Sequence, residues 1–245
     1  MPKTDVVILA AGIGSRLAPV TDTQPKCLTD LNGKSLINRV VEQFLAHDDV
    51  QKVHVVIGYL GDQIVEALSK YGDRVSTVMN ETFRTTNNLF SFTLSQPSLV
   101  PDSQLILLNG DCAYEDEIID AVVKSSDARS QVVVDSSIYM DESMKVSIDD
   151  TGVISHIAKT ITQEDAFATS IDLYRLVAMD KATLLAKAES IFATSGLNTW
   201  TEVALAECFA DGSIEATPLD IAGARWYEID NHEDLAAAQA LFTGL

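Results

Sequence analysis

Positive charge is scarce in this 245-residue chain. Its 17 lysines and arginines stand against 36 aspartates and glutamates, a formal net charge of -19. A basic face for nucleic acid is thereby excluded. Any anion site must be a local exception built from a few placed cations and backbone N–H groups. Cysteine is sparse as well. Cys27, Cys112 and Cys208 are scattered and odd in number, which argues against a disulfide framework and for a reducing, cytoplasmic setting. The four histidines, His47, His54, His156 and His232, show no metal-ligand spacing. No run approaches the ~18 apolar residues of a membrane span. The apolar part of MPKTDVVILA is too short and badly flanked for a signal peptide, so no membrane insertion is expected. Repeats, linkers and low-complexity segments are also missing, and nothing in the pattern reports an oligomeric state.

Hydrophobic residues make up 47% of the chain, which implies a packed core rather than disorder. DVVILA (5–10) is a β-branched apolar run and reads as a buried parallel strand. SLINRVVEQFLA (35–46) places Leu36, Ile37, Val40, Val41, Phe44 and Leu45 at helical spacing. Strands at 52–59, 74–80, 104–111 and 131–137 alternate with helices at 61–72, 87–95 and 115–125, with Gly72 a stop for the first of these. That alternation predicts a Rossmann-like three-layer α/β sandwich with a predominantly parallel mixed sheet and right-handed crossovers. From about residue 139 the pattern changes. MKVSIDDTGVISHIA reads as two strands about a turn at 149–152. Helices near 178–192 and 199–210, strands near 214–218 and 225–229, and a closing helix at 231–243 follow. One domain over 1–245 is expected, with halves at 1–138 and 139–245.

The stretch LAAGIGSRLAPVTDTQPKCL (9–28) sets Gly12 and Gly14 at a strand's C-terminal end, where open parallel sheets bind ligands. Such a turn brings backbone N–H groups close to phosphate oxygens; it also serves as a plain strand-to-helix connection that binds nothing. The P-loop pattern GxxxxGK[ST] is not matched, and the dinucleotide fingerprint GxGxxG fails at Leu17. Asp30, at ribose-contact spacing, lies in the turn-like LTDLNGK, so NAD is discounted. Arg16 and Lys26 add two cations beside the turn. Pro25 fixes its own φ and extends Gln24, which helps to aim the lysine.

These residues carry a resemblance. The pattern GxGxRLxPxTxxxPKxL is similar to the signature of the sugar-phosphate nucleotidyltransferases, a GT-A-like fold. NETFRTTNNLFSF (80–92) resembles a motif of the phosphocholine, inositol-1-phosphate and phosphonate cytidylyltransferases. NGDCAYEDE (109–117) and RWYEIDNHEDLAAA (225–238) resemble the blocks that supply the family's two metal carboxylates. The resemblance runs from residue 5 to about 242 and makes 1–138 the nucleotide-binding half and 139–245 the acceptor-binding half.

The resemblance implies transfer of CMP from CTP to a small phosphorylated or phosphonylated alcohol or amine, with release of pyrophosphate. It implies Lys26 and Arg16 as catalytic cations and Mg²⁺ on Asp111 and Asp230; two carboxylates at strand ends suit a hard cation, and both also suit helix capping. Leu9, Ala11, Gly12, Gly14, Ser15, Asn80, Asn88, Ser91 and Gly110 are implied to bind the nucleotide. Without the resemblance, Asn87 or Asn88 is read as a helix cap. MKVSIDDTGVISHIAKTI offers Lys145 and Lys159 to the acceptor phosphate, or to a solvated strand edge. Trp200 and Glu202 of TWTEVALAE offer an aromatic face and a carboxylate to a cationic headgroup, or core packing. ATSIDLYRL (168–176) departs from the family, with Asp172 where relatives often carry glycine in an acceptor-lining strand. Uridylyl or thymidylyl transfer to a sugar 1-phosphate stands as the alternative reaction, and a nucleotide-binding regulatory domain as the alternative class.

Overall fold

A computed structural model describes residues 3–243. The elements, in chain order, begin with β1 (Thr4–Ala10), β2 (Asp30–Leu31), β3 (Lys34–Ser35), α1 (Leu36–Leu45), β4 (Val50–Ile57), α2 (Gly61–Leu68), β5 (Val75–Met79) and α3 (Asn88–Leu94). Next come β6 (Gln104–Asn109), β7 (Cys112–Tyr114), α4 (Asp116–Lys124), β8 (Ser130–Asp135), β9 (Lys145–Ile148) and β10 (Ile154–Ala158). The chain closes with β11 (Ala168–Leu176), α5 (Ala178–Ser195), α6 (Thr201–Ala210), β12 (Ala216–Asp220), β13 (Trp226–Glu228) and α7 (His232–Leu241).

Every residue of β1 is buried because both faces of the strand are covered. Val6, Ile8 and Ala10 pack with Ile37, Val41 and Phe44 of α1, Ile64 of α2 and Ile119 of α4. Val7 and Leu9, on the opposite face, join Phe92 of α3, Leu184 and Ala188 of α5 and Leu205 of α6. Successive residues of a strand point to opposite faces, so one apolar run serves two cores. The result is the three-layer arrangement expected from the sequence.

The sheet runs β5-β4-β1-β6 in parallel, and β11 then adds to β6 antiparallel. The register shows how β11 branches the sheet. Tyr174 pairs with Leu107 of β6 and Val132 of β8, while Thr169 pairs with Asp135 of β8 and Lys145 of β9. Strands β6 and β9 therefore share one edge of β11, and β8, with β12 parallel beyond it, takes the other. The register slips between Ser170 and Tyr174, and Asp172 there has φ +57°.

Several elements differ from the sequence reading. The stretch at 131–137 does extend the sheet, but antiparallel β11 lies between it and β6, and its parallel partner is β12. The turn-like LTDLNGK forms the two-residue pair β2–β3 around Asn32 and Gly33, both at positive φ. Helix α2 ends at Leu68, and a 3-10 stretch over Ser69–Arg74 carries Gly72 in a non-helical conformation. Cys112–Tyr114 pairs with β13, which returns the end of the chain to the end of β6. No helix of the described residues is long and apolar enough to cross a membrane.

Candidate active site

The turn after β1 crosses the C-terminal edge of the sheet. Gly14 has φ +67°, and a Cβ on it would sit 2.8 Å from Cβ of Lys26. Glycine is therefore required twice there, for the backbone and for the approach of the lysine stem. Pro25, at φ -61° and ψ 145°, leads directly into the 3-10 turn Lys26–Leu28.

Lys26 reaches across to two carboxylates far away in sequence. Its Nζ donates to Asp111 Oδ2 at 2.8 Å and to Asp230 Oδ1 at 2.7 Å. Arg16 Nη2 pairs with Asp230 Oδ2 at 2.8 Å. Asp111 follows Gly110 at the end of β6, and Asp230 follows β13; the backbone N–H of Ile229 donates to the carbonyl of Asp111 at 3.0 Å. The β7–β13 pair thus joins the two blocks. Asp230 also precedes α7, where Asn231 and Asp234 form the capping box, so the carboxylate of Asp230 is left free for the cleft.

Burial alone would lower the Lys26 ammonium's pKa, but Asp111 and Asp230 hold it well above the usual lysine value. Burial would likewise raise the Asp230 carboxyl, and Lys26 and Arg16 hold it below the carboxylate range. Glu228 was not anticipated. Burial, then the charges of Asp111 and Asp230, push its carboxyl up to about 7 against the pull of Lys26 and Lys159. Carboxylate oxygens of Asp111, Glu228 and Asp230 lie within 4.8 Å of one another, a donor set able to hold a hard divalent cation. Glu228 and Asp230 stand two apart in an extended run, and that spacing was the available signal.

Two lobes of about 350 and 230 Å³ share Leu9, Gly12, Arg16, Asp111 and Asp230 in their linings. The smaller adds Gly14, Lys26 and Gly110. The larger adds Ala11, Asn80, Asn88, Ser91, Lys159, Asp172, Trp200 and Glu202. Asn80 is buried, with Nδ2 donating to Thr86 Oγ1 and Ser91 Oγ at 3.0 Å, while its Oδ1 accepts from the Thr82 N–H at 2.9 Å. It shapes the loop that leads into α3. Asn87 caps α3, and Asn88 Oδ1 accepts from the N–H of Thr201 at 2.8 Å, at the start of α6.

At the far wall, Tyr174 Oη donates to Glu202 Oε1 at 2.9 Å, and Asn109 Nδ2 donates to Asp172 Oδ2 at 3.2 Å. Burial, then Glu228, Glu202 and Asp111, push the Asp172 carboxyl well above the ordinary range. Burial also raises Glu202, against hydrogen bonds from Tyr174 and Asn88. Lys159 Nζ lies 5.5 Å from the ring centroid of Trp200. Glu142, Ser143, Met144, Phe83, Thr86 and Asn109 also line this lobe; Glu142 and Ser143 lie outside the quoted motifs, and the other four lie within them without having been singled out.

Two expected residues are not brought to the cleft. Lys145 is fully buried, and its Nζ donates to the carbonyls of Asp141 at 2.8 Å and Met140 at 3.3 Å. Those bonds, with the Tyr139 ring 5.0 Å from Nζ, hold the ammonium inside the protein and away from the cleft. Ser15, itself exposed, starts the 3-10 turn Ser15–Leu17 and lines neither lobe.

Known proteins resemble this chain in sequence and in fold. The CMP-5'-(3-aminopropyl)phosphonate synthase of Streptomyces rubellomurinus is 29% identical over 97% of this chain and 38% of its own length. The choline-phosphate cytidylyltransferase of Streptococcus pneumoniae is 38% identical over 38% of this chain and 39% of its own. The chain thus spans under two fifths of the length of these curated relatives. In fold, the solved CTP:phosphocholine cytidylyltransferase of Streptococcus pneumoniae superposes with a TM-score of 0.79 at 20% identity, covering 98% of this chain and all of that one. Residues 6–139, more than half of the chain, match the MobA-like NTP transferase domain, and the chain belongs to that family.

Proposed function

We propose that the chain is a cytidylyltransferase that moves CMP from CTP to a phosphate or phosphonate oxygen of a small acceptor carrying a cationic amine. The observation that carries the reading is the convergence of Arg16 and Lys26 with Asp111, Glu228 and Asp230 between two lobes of one cleft. The acceptor oxygen forms a bond to the α-phosphorus, the bond from that phosphorus to the bridging oxygen breaks, and pyrophosphate leaves. An acceptor phosphate is ionised at pH 7, so no general base is needed. The protein's work is positioning and charge stabilisation.

The N–H groups of the Gly12–Gly14 turn and the Arg16 guanidinium receive the outer phosphates. Lys26 stabilises charge developing at the α-phosphate. Lys159 orients the acceptor's anionic end. Carboxylates outnumber cations in the cleft lining, so a triphosphate needs a further counter-charge there. Asp111 and Asp230, with Glu228 beside them, would hold a magnesium ion, which supplies that counter-charge when bound. Asp172 and Glu202 at the far wall favour a positively charged group at the acceptor's other end. Both curated relatives described above are named for compounds with such a group, an aminopropyl and a choline.

Pyrophosphate release, measured over a matrix of CTP, UTP and dTTP against aminoalkylphosphonates, phosphocholine, inositol phosphate and sugar 1-phosphates, tests the reading. CTP with an amine-bearing acceptor is expected to turn over fastest. Faster turnover of UTP or dTTP with a sugar 1-phosphate would establish the alternative reaction. No pyrophosphate from any pairing would make the chain a binding domain.

A further inference from the structure

Lys26 stands where a metal ion would stand. Its ammonium uses Asp111 Oδ2 at 2.8 Å and Asp230 Oδ1 at 2.7 Å, while Arg16 takes the remaining Asp230 oxygen at 2.8 Å. A magnesium-sized ion sits ~2.0–2.1 Å from its carboxylate oxygens. It would use the same oxygens as the ammonium, and although each oxygen keeps a second lone pair, a divalent ion and an ammonium held on both would repel each other at close range. Both oxygens of Asp230 are thus already committed to side chains of the protein.

We propose that Lys26 is a tethered stand-in cation. It fills the metal position in the nucleotide-free protein, compensates the crowded carboxylates, and must withdraw before a divalent ion can bind. This rests on the reading that Asp111 and Asp230 hold such an ion. The stem of the lysine shows where the ammonium goes. A Cβ on Gly14 would lie 2.8 Å from Lys26 Cβ, 3.1 Å from Cδ and 3.2 Å from Cγ, so the side chain runs along the glycine turn. Rotation about its outer bonds carries the ammonium from the carboxylates towards phosphates held on that turn. A triphosphate therefore gives Lys26 a new partner at the moment it vacates the old ones. Metal and nucleotide then bind with positive coupling, and the coupling is reciprocal. The free protein, in turn, resists loading with metal alone.

Mn²⁺ binding to the nucleotide-free chain, read from the electron paramagnetic resonance signal of unbound Mn²⁺, tests this. Lys26→Met is expected to bind Mn²⁺ at least about tenfold more tightly than the wild type. Arg16→Gln leaves the two oxygens under Lys26 untouched and is expected to gain less. Equal or weaker binding by Lys26→Met overturns the stand-in role and leaves the metal reading intact. Absence of binding in all three proteins overturns both. A measurement on the wild type alone avoids any folding defect of the variants: acylation of lysine amines, followed by peptide mass spectrometry. Saturating Mn²⁺ is expected to raise labelling of Lys26 while leaving Lys187, paired with Asp211 at 2.7 Å, unchanged. No rise at Lys26 overturns the proposal.

Discussion

At position 172 the backbone asks for glycine and the chain supplies aspartate. A φ of +57° in a strand bulge costs a residue with a Cβ about 1–2 kcal/mol. Asp is one of the few side chains that tolerate it. The carboxyl itself is destabilising, since burial and then Glu228, Glu202 and Asp111 push its pKa well above the ordinary value of 3.8. The folded protein thus holds the proton more tightly than the unfolded chain. That contribution is fully present below the unfolded pKa and is lost as pH rises through the folded one. Asp172→Gly is therefore expected to stabilise the chain by about 1 kcal/mol at pH 7, and by less near pH 4, in urea unfolding. The same variant is expected to raise KM for an amine-bearing acceptor, and an unchanged KM would remove Asp172 from acceptor recognition. Lys145 illustrates the opposite limit of residue-level reading. A lysine in an extended run looks the same in sequence whether it faces solvent or spans two carbonyls, as this one does.

Helices α3 and α6 are tied together at their N-termini, and the tie lies beside the cleft. The N–H of Asn87 donates to the carbonyl of Leu197 at 3.1 Å, that of Leu89 to Thr199 at 3.3 Å, and that of Thr201 to Asn88 Oδ1 at 2.8 Å. Glu202 sits in the first turn of α6, so its place depends on that capping contact. Asn88→Ala is expected to cost about 1 kcal/mol of stability, the usual loss of a cap. It is also expected to raise KM for the acceptor more than KM for CTP in steady-state assays. A rise confined to CTP would assign Asn88 to the nucleotide alone. The local signals in these elements were legible. Asn87 is the cap, and in the 149–152 turn Asp149 Oδ1 accepts from the Thr151 N–H at 2.8 Å. The partner of Asn88 was not legible, because it lies 113 residues on and no local propensity marks it.

Over the whole molecule, a formal charge of -19 works against compaction. Raising ionic strength from ~0.01 to ~0.15 M shortens the screening length from about 30 to about 8 Å. The thermal midpoint is therefore expected to rise over that range. A midpoint that falls would mean that exposed pairs such as Lys34–Glu42, at 2.6 Å, outweigh the net repulsion.

What the sequence alone determined lies within single elements and their adjoining turns, and in the order in which strands and helices alternate. The doubly buried β1, the glycine bend, the aim of Pro25-Lys26 and the placing of Asp111 at a strand end all follow from short-range patterning. Tertiary structure decided the rest. It ran β11 antiparallel beside β6, turned Lys145 inward, and paired Glu228 with Cys112 so that Glu228 and Asp230 meet Asp111. Apolar periodicity and turn chemistry act over a few residues. Which strand edges meet depends on the packing of the whole chain, and that packing set the carboxylates around Lys26.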